Sequence, residues 1–235
     1  MEPFHFKQFS LYHHRSTMKV GTDSVLLGSW CNVGNPNKVL DIGTGSGVLA
    51  ILLASRCDAI VDAIELDPSS AEEAKENFYN SSFSNRLKII QDDFRIFSST
   101  TKSKYDLIIS NPPFFTNGIV SEKPSRKEAR HTLNLDHNSL LIGIAKILNP
   151  DGKLCVVLPY DISNEFIVNA AKYNLHLHRK LIIRPKKELK PNRINIEFRH
   201  SKPKEISSEE IIIRNDENDY TDQYKEIVKA YLLKT

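Results

Sequence analysis

The stretch Lys38–Gly47, KVLDIGTGSG, joins a short apolar run to three alternating glycines and then to Val48–Cys57, VLAILLASRC. Val39, Leu40 and Ile42 read as a buried parallel strand, and Gly43, Gly45 and Gly47 as a tight turn into a helix. A glycine at every second position lets backbone amides approach a ligand where any Cβ would collide. The dinucleotide-binding fingerprint does not fit, because its third glycine would fall at Val48. Asp41 at the strand end either anchors the loop or accepts from a cationic ammonium group. A carboxylate there disfavours phosphate and suits a ligand with a positive end.

The next strand, Ala59–Asp67 (AIVDAIELD), ends in Glu65, 18 residues after Gly47. An acidic residue near that distance is where a ribose diol is held by two hydrogen bonds, so the pair reads as a nucleoside site. A helix follows over Ser69–Asn80, with Ser69 or Ser70 expected as its cap. Leu87–Phe94, LKIIQDDF, gives a third strand, in which Asp93 accepts from the amine of an adenine while Phe94 or Ile64 packs on its face.

Strand four, Tyr105–Ser110, stops at Asn111-Pro112-Pro113-Phe114. Neither proline donates to a sheet ladder and each restrains the residue before it, so the chain forms a stiff elbow at the carboxyl end of the sheet. Open α/β sheets place ligands there. The elbow sets the Asn111 amide and the Pro112 carbonyl side by side as acceptors, beside the Phe114 ring. That combination suits a flat group bearing an NH2, such as a nucleobase. The polar stretch 116–136 carries Lys123, Arg126, Lys127, Arg130 and His131 and is long enough for a lid.

The rest of the chain adds a helix from His137, a turn at Asn149–Gly152, a fifth strand KLCVVLPY and a helix from Ser163. Then its character changes. Leu175–Lys187 and Asn192–His200 alternate as strands of an antiparallel hairpin, and between Arg179 and Lys204 there are ten Lys/Arg against two Glu. Glu209–Arg214, EEIIIR, reads as a short added strand before a C-terminal helix. Near the start, Thr22 or Asp23 is expected to cap a short helix over Val25–Trp30. Five βα units and a hairpin point to one doubly wound domain over 1–235. It divides into an N-terminal extension and helix (1–35), a core (36–200) and a C-terminal strand and helix (201–235).

The 235 residues are 40% hydrophobic and 26% charged, enough for a full core. No apolar run approaches the roughly 18 residues of a membrane span, and MEPFHFKQFS lacks a signal-peptide pattern. A cytoplasmic location is expected. Cys31, Cys57 and Cys155 are too scattered for a disulfide frame and suggest no metal site. His13 and His14 read as a surface turn. The basic hairpin suits phosphates of a compact RNA, whose loop bases are already unstacked.

Asp41-x-Gly43-x-Gly45-x-Gly47, Glu65, Asp93 and Asn111-Pro112-Pro113-Phe114 together resemble the class I S-adenosylmethionine-dependent methyltransferases that act on amino groups. The whole chain is closer still to the bacterial tRNA(Val) adenine-37 N(6)-methyltransferase family. It shares the run Lys19-Val20-x-Thr22-Asp23 before VLLGSW, the elbow, Ala129-Arg130 and the basic hairpin. The resemblance implies a Rossmann-like sheet of seven strands in the order 3-2-1-4-5-7-6, mainly parallel, with helices on both faces. It implies S-adenosyl-L-methionine as cofactor, tRNA as partner and a monomeric enzyme that uses no metal. It adds Lys19, Thr22, Thr44 and Leu66 to the cofactor-binding residues, and makes Asn111, Pro112, Pro113 and Phe114 the catalytic elbow. Phe114, Arg130, Arg184, Lys186, Lys187, Lys190 and Arg193 are the expected RNA contacts. Similar elbows occur in guanine-amine methyltransferases of ribosomal RNA and in glutamine-amide methyltransferases of release factors, and the motif alone leaves these open.

Overall fold

Alternation of side chains along the strands decides the layering. In β3 (Lys38–Ile42) Val39 points to one core and Leu40 to another, and in β6 (Tyr105–Ser110) Leu107 and Ile109 join the first core while Ile108 joins the second. A period of two sends successive residues to opposite faces, so the sheet is buried on both. The computed structural model describes residues 2–112 and 135–233. The first core lies under α1 (Thr22–Trp30), α2 (Val48–Ala54) and α3 (Pro68–Tyr79), and the second under α4 (Phe94–Thr100), α5 (His137–Ile147) and α6 (Ser163–Ala171). Fully buried Leu27, Ile51 and Leu52 in the first, and Leu140, Ile144 and Phe166 in the second, each contribute roughly 1.5–3 kcal/mol of transfer free energy.

The remaining strands are β1 (Phe4–His5), β2 (Ser10–Leu11), β4 (Ile60–Glu65), β5 (Leu87–Gln91), β7 (Leu148–Pro159), β8 (His176–Arg184), β9 (Arg193–Arg199) and β10 (Ser207–Ile212), with α7 over Asp222–Val228. The main sheet runs β10-β8-β9-β7-β6-β3-β4-β5. Counted from β3, this is the expected order 3-2-1-4-5-7-6 with one strand more. The sheet has eight strands because β10 adds to the outer edge of β8, parallel to it. Among the described strands of this sheet only β9 runs against the others, paired antiparallel to both β7 and β8. The carboxyl ends of β3 to β8 and the start of β9 therefore lie along one edge.

Local chemistry departs from the sequence reading at several ends. Gly21, not Thr22 or Asp23, is the N-cap of α1, and it gives no side-chain bond. Asp67 caps α3 by accepting from Ser70 N, with Pro68 in the first turn; the fixed φ of Pro68 moves the helix start ahead of the serines. The turn at Asn149–Gly152 is a bulge inside β7, where the register jumps from Tyr105↔Leu148 to Leu107↔Lys153. Glu73, fully buried in α3, accepts from the backbone N–H groups of His14, Arg15 and Ser16. It thereby straps the N-terminal segment across the helix. Among the described residues no helix is long and apolar enough to cross a membrane.

Candidate active site

The glycine turn leaves β3 with φ values of +69° at Gly43, +55° at Gly45 and +88° at Gly47, a region that side chains with a Cβ rarely enter. Gly43 N and Thr44 N donate to Ile64 O of β4 at 2.9 and 3.1 Å. The glycines do different work. A Cβ at Gly43 or Gly45 would meet no protein atom within 4 Å, whereas one at Gly47 would lie 2.5 Å from Phe78 Cε1. Gly43 and Gly45 border open space that a ligand can fill, and Gly47 lets α3 pack close beneath the loop. The expectation that all three serve ligand approach is corrected at Gly47.

Asp41 lies fully buried under this turn. Its Oδ2 accepts from Thr44 Oγ1 at 2.5 Å and from Ala50 N at 3.1 Å, so of its two possible roles it performs the anchoring one. Burial raises its carboxyl to about 7, against the opposing pull of the Thr44 and Ala50 bonds and with a further push from the Glu65 charge. Glu65, at the end of β4, spans the loop and its own turn: Oε2 accepts from Gly45 N and Oε1 from Asp67 N, both at 2.9 Å.

The elbow begins where Ser110 Oγ donates to Ile42 O at 2.8 Å, which pins the end of β6 to that of β3. Asn111 Nδ2 donates to Ser24 Oγ at 2.9 Å. Asn111 Oδ1 is buried and accepts no hydrogen bond from the described residues. Such an atom costs about 1–3 kcal/mol when left unmade, and a donor from a ligand would satisfy it. Pro112 is buried behind it. Pro113, Phe114 and Arg130, and the lid expected over most of 116–136, lie outside the described residues. A cavity of about 250 Å³ joins three stretches: Met18–Ser24, Gly43–Ser46 and Asn111. Lys19, Thr22, Thr44 and Asn111 all border it.

Other expected residues sit elsewhere. Asp93 caps α4, accepting from Arg95 N at 2.8 Å and from Arg95 Nε at 3.0 Å; that side-chain bonding, chiefly, holds its carboxyl below the usual range. An adenine amine would share this carboxylate with Arg95. Phe94, expected on an adenine face, turns its ring into the second core, where a Cβ at Gly143 would lie 2.5 Å from Phe94 Cε1. Ile64 is buried in the same core. Leu66 is 45% exposed beside Glu65.

The hairpin is less uniformly basic than its sequence. Arg184 pairs with Glu210 of the added strand at 2.7 Å, and Arg193 with Asp23 at 2.8 Å. Arg179 and Arg199 converge instead on buried Glu197. The tip between β8 and β9 carries Lys186, Lys187 and Lys190, with Lys187 and Lys190 exposed, and it projects from the same sheet edge as Asn111. Sequence reasoning missed Ser24, the last polar residue before the apolar VLLGSW.

A sheet of this order, with a glycine loop, an acidic strand end and an asparagine-proline elbow along its carboxyl edge, defines a class I methyltransferase. The methyltransferase small domain family matches residues 16–180. A tRNA1(Val) (adenine(37)-N6)-methyltransferase of Bacteroides fragilis is 39% identical over 232 residues, covering 98% of both chains, and that of Pectobacterium carotovorum is 38% identical over 98% of this chain and 93% of its own. The chain belongs to the methyltransferase small domain family and to that of the tRNA1(Val) (adenine(37)-N6)-methyltransferases. A crystal structure titled a predicted O-methyltransferase from Agrobacterium tumefaciens shares the fold with a TM-score of 0.67 at 16% identity, covering 89% of this chain and 96% of that one. A methyltransferase from Pyrococcus furiosus does so with a TM-score of 0.57 at 21% identity, covering 80% and 86%. The residues fit S-adenosylmethionine: Gly43 and Gly45 open onto free space, a carboxylate stands at the strand end for a ribose, and the Asn111 oxygen of the elbow has no partner among the described residues.

Proposed function

We propose that this chain methylates the exocyclic N6 amine of adenine 37 in tRNA1(Val), with S-adenosylmethionine as the methyl donor. The observation that carries the reading is the buried Oδ1 of Asn111 beside the glycine-loop cavity, which has no partner among the described residues. The substrate named for relatives of 38–39% identity over nearly the whole chain supports it.

Glu65 would hold the cofactor's ribose hydroxyls, with Leu66 beside the adenine and Asp93 reaching its amine. Lys19 and the first turn of α1, whose N–H groups have no side-chain cap, would take the carboxylate of the methionine portion. When bound, the cofactor supplies an electrophilic methyl on a sulfonium. The rest falls to the protein. An aryl amine is a poor nucleophile because its lone pair is delocalised into the ring. Hydrogen bonds from its two N–H groups to Asn111 Oδ1 and the Pro112 carbonyl draw the nitrogen toward tetrahedral geometry and aim the lone pair. Alignment of that kind lowers a barrier by several kcal/mol. No separate general base is needed, since the proton leaves after transfer. Phe114 stacks on the exposed base, a contact of roughly 1–3 kcal/mol. Lys186, Lys187 and Lys190 meet RNA phosphates, with Arg130 as a further RNA contact.

Incubation with labelled cofactor and, separately, unmodified tRNA, ribosomal RNA and release factor tests the reading. Label entering tRNA as N6-methyladenosine supports it; label confined to guanosine or to the protein would overturn it.

A further inference from the structure

We propose that His13 is a positioning residue for the cofactor site, whose neutral ring holds the segment Met18–Val20 against the cavity and whose protonated ring releases it; this rests on the reading above of that cavity as the S-adenosylmethionine site, not on the choice of substrate. Val20 N donates to His13 Nδ1 at 2.8 Å. A backbone N–H can only donate, so Nδ1 carries a lone pair and the ring hydrogen sits on Nε2. A protonated imidazole donates from both nitrogens and would set N–H against N–H at Val20.

The bond closes a loop whose first half is tied down by other means. His14, Arg15 and Ser16 donate their backbone N–H groups to Glu73, Thr17 N donates to Ser70 Oγ at 3.2 Å, and Ser16 Oγ donates to Met18 O at 2.9 Å. Lys19 and Val20 lie beyond these bonds, and α1 begins only after its N-cap Gly21. Met18 and Lys19 are exposed and border the cavity. With Val20 N fixed, this wall is in place before a ligand arrives. Without the bond, binding must also order the segment, and that cost comes off the affinity. Val20 itself packs against the first core, so losing the bond loosens the segment without unfolding it.

The charged and titratable groups around the loop are His14, Arg15 and Lys19 on the segment itself, His5 on β1, Asp23 on α1, and Glu73 and Glu76 on α3. The carboxylates are already engaged: Glu73 by the strap and by His14 Nδ1 at 3.1 Å, Glu76 by Arg15, and Asp23 by Arg193. His5 Nδ1 lies 2.7 Å from Ser10 Oγ. Phe4 of β1 meets the His13 ring edge-on, with centroids 6.2 Å apart, and brings no charge to it. Protonating His14 tightens its pair with Glu73, the opposite sense to His13, and Asp41, at about 7, titrates in the same range. A replacement confined to His13 leaves both of those groups as they are.

Asparagine carries an oxygen where histidine carries Nδ1, and that oxygen accepts at every pH. His13→Asn therefore keeps the bond and cannot switch it off, whereas His13→Ala lacks it. In calorimetry with S-adenosylmethionine and the full chain, His13→Asn binds as wild type does at about pH 8, and His13→Ala binds about fivefold more weakly, the worth of one hydrogen bond. Toward about pH 5, across the range in which histidine gains its charge, wild type weakens about fivefold or more relative to His13→Asn. The ratio of His13→Ala to His13→Asn stays flat. Nitrogen NMR of the wild type at about pH 8 shows the His13 hydrogen on Nε2. A constant ratio of wild type to His13→Asn across pH, a His13→Ala that binds as wild type does, or a hydrogen on Nδ1 would overturn the proposal. Should His13→Ala fail to fold, the comparison of wild type with His13→Asn still decides. No RNA enters the measurement, so a substrate other than tRNA does not alter the outcome. A wild type that binds no S-adenosylmethionine would overturn the reading of the cavity, while the NMR signal still reports whether His13 holds Val20.

Discussion

Asp41 makes the glycine loop sensitive to pH. Its carboxyl sits at about 7 when folded, because burial disfavours its charge, against about 3.9 in an unfolded chain. Between those values the folded protein holds the proton and the unfolded chain does not. The contribution is therefore fully present below about pH 4 and is lost as pH rises through 7. Thermal melts should show an Asp41→Asn variant gaining on wild type from about pH 4 to 7 and levelling beyond; a difference constant with pH would contradict the assignment. At Gly47 a Cβ is opposed both by the positive φ and by Phe78, so Gly47→Ala should cost about 2 kcal/mol or more in denaturant unfolding. Asp41, Gly43, Gly45, Glu65 and Asn111 were legible in the sequence because each residue type is demanded by its place at a strand end or turn. Ser24, and the engagement of Asp93 by Arg95, were not. Both depend on where a side chain reaches in three dimensions, and no periodicity records that.

The basic hairpin illustrates the same boundary for elements. Its two strands and its turn were legible from alternation and from the Lys- and Pro-rich stretch between them. What it faces was not, because the partner of β10 is chosen by packing at the sheet edge. Once β10 docks, Glu209 and Glu210 lie against Arg179 and Arg184, and the cations facing the active edge reduce mainly to the tip. Replacing Lys187 and Lys190 by Ala should weaken tRNA binding and flatten the slope of log affinity against log salt by roughly 0.7–0.9 for each phosphate no longer neutralised. Arg184→Ala should change that slope little, since Glu210 already takes its charge. Fluorescence anisotropy over a salt series measures both. An unchanged slope in the lysine double variant would remove the tip from the RNA surface. In α3, Glu73→Ala would leave three strap N–H groups unpaired and cost on the order of 2 kcal/mol. It should also loosen cofactor binding, because the strapped segment continues into Met18 and Lys19 at the cavity. Calorimetry with cofactor measures that weakening.

For the whole molecule, the strand order concentrates chemistry on one edge. Parallel strands β3, β4 and β6 deliver the glycine loop, Glu65 and Asn111 there, and the reversal of β9 returns the hairpin tip to the same side. The N-terminal extension belongs to this edge, because α1 supplies Thr22 and Ser24 to the cavity wall and packs on α2 and α7. The order of the first seven strands was legible through the motifs. The eighth strand was legible too, as a short added one, but its place beside β8 and the role of α1 as a wall of the site required the packed structure. The most direct test of the account is to locate the methyl by mass spectrometry of nuclease-digested tRNA1(Val) after reaction with wild type and with Asn111→Ala. The account predicts N6-methyladenosine at position 37 from wild type, and turnover reduced at least about 100-fold in the variant, some 3 kcal/mol of alignment, with cofactor affinity unchanged. A methyl on another nucleoside, or a variant active within a few-fold of wild type, would contradict it.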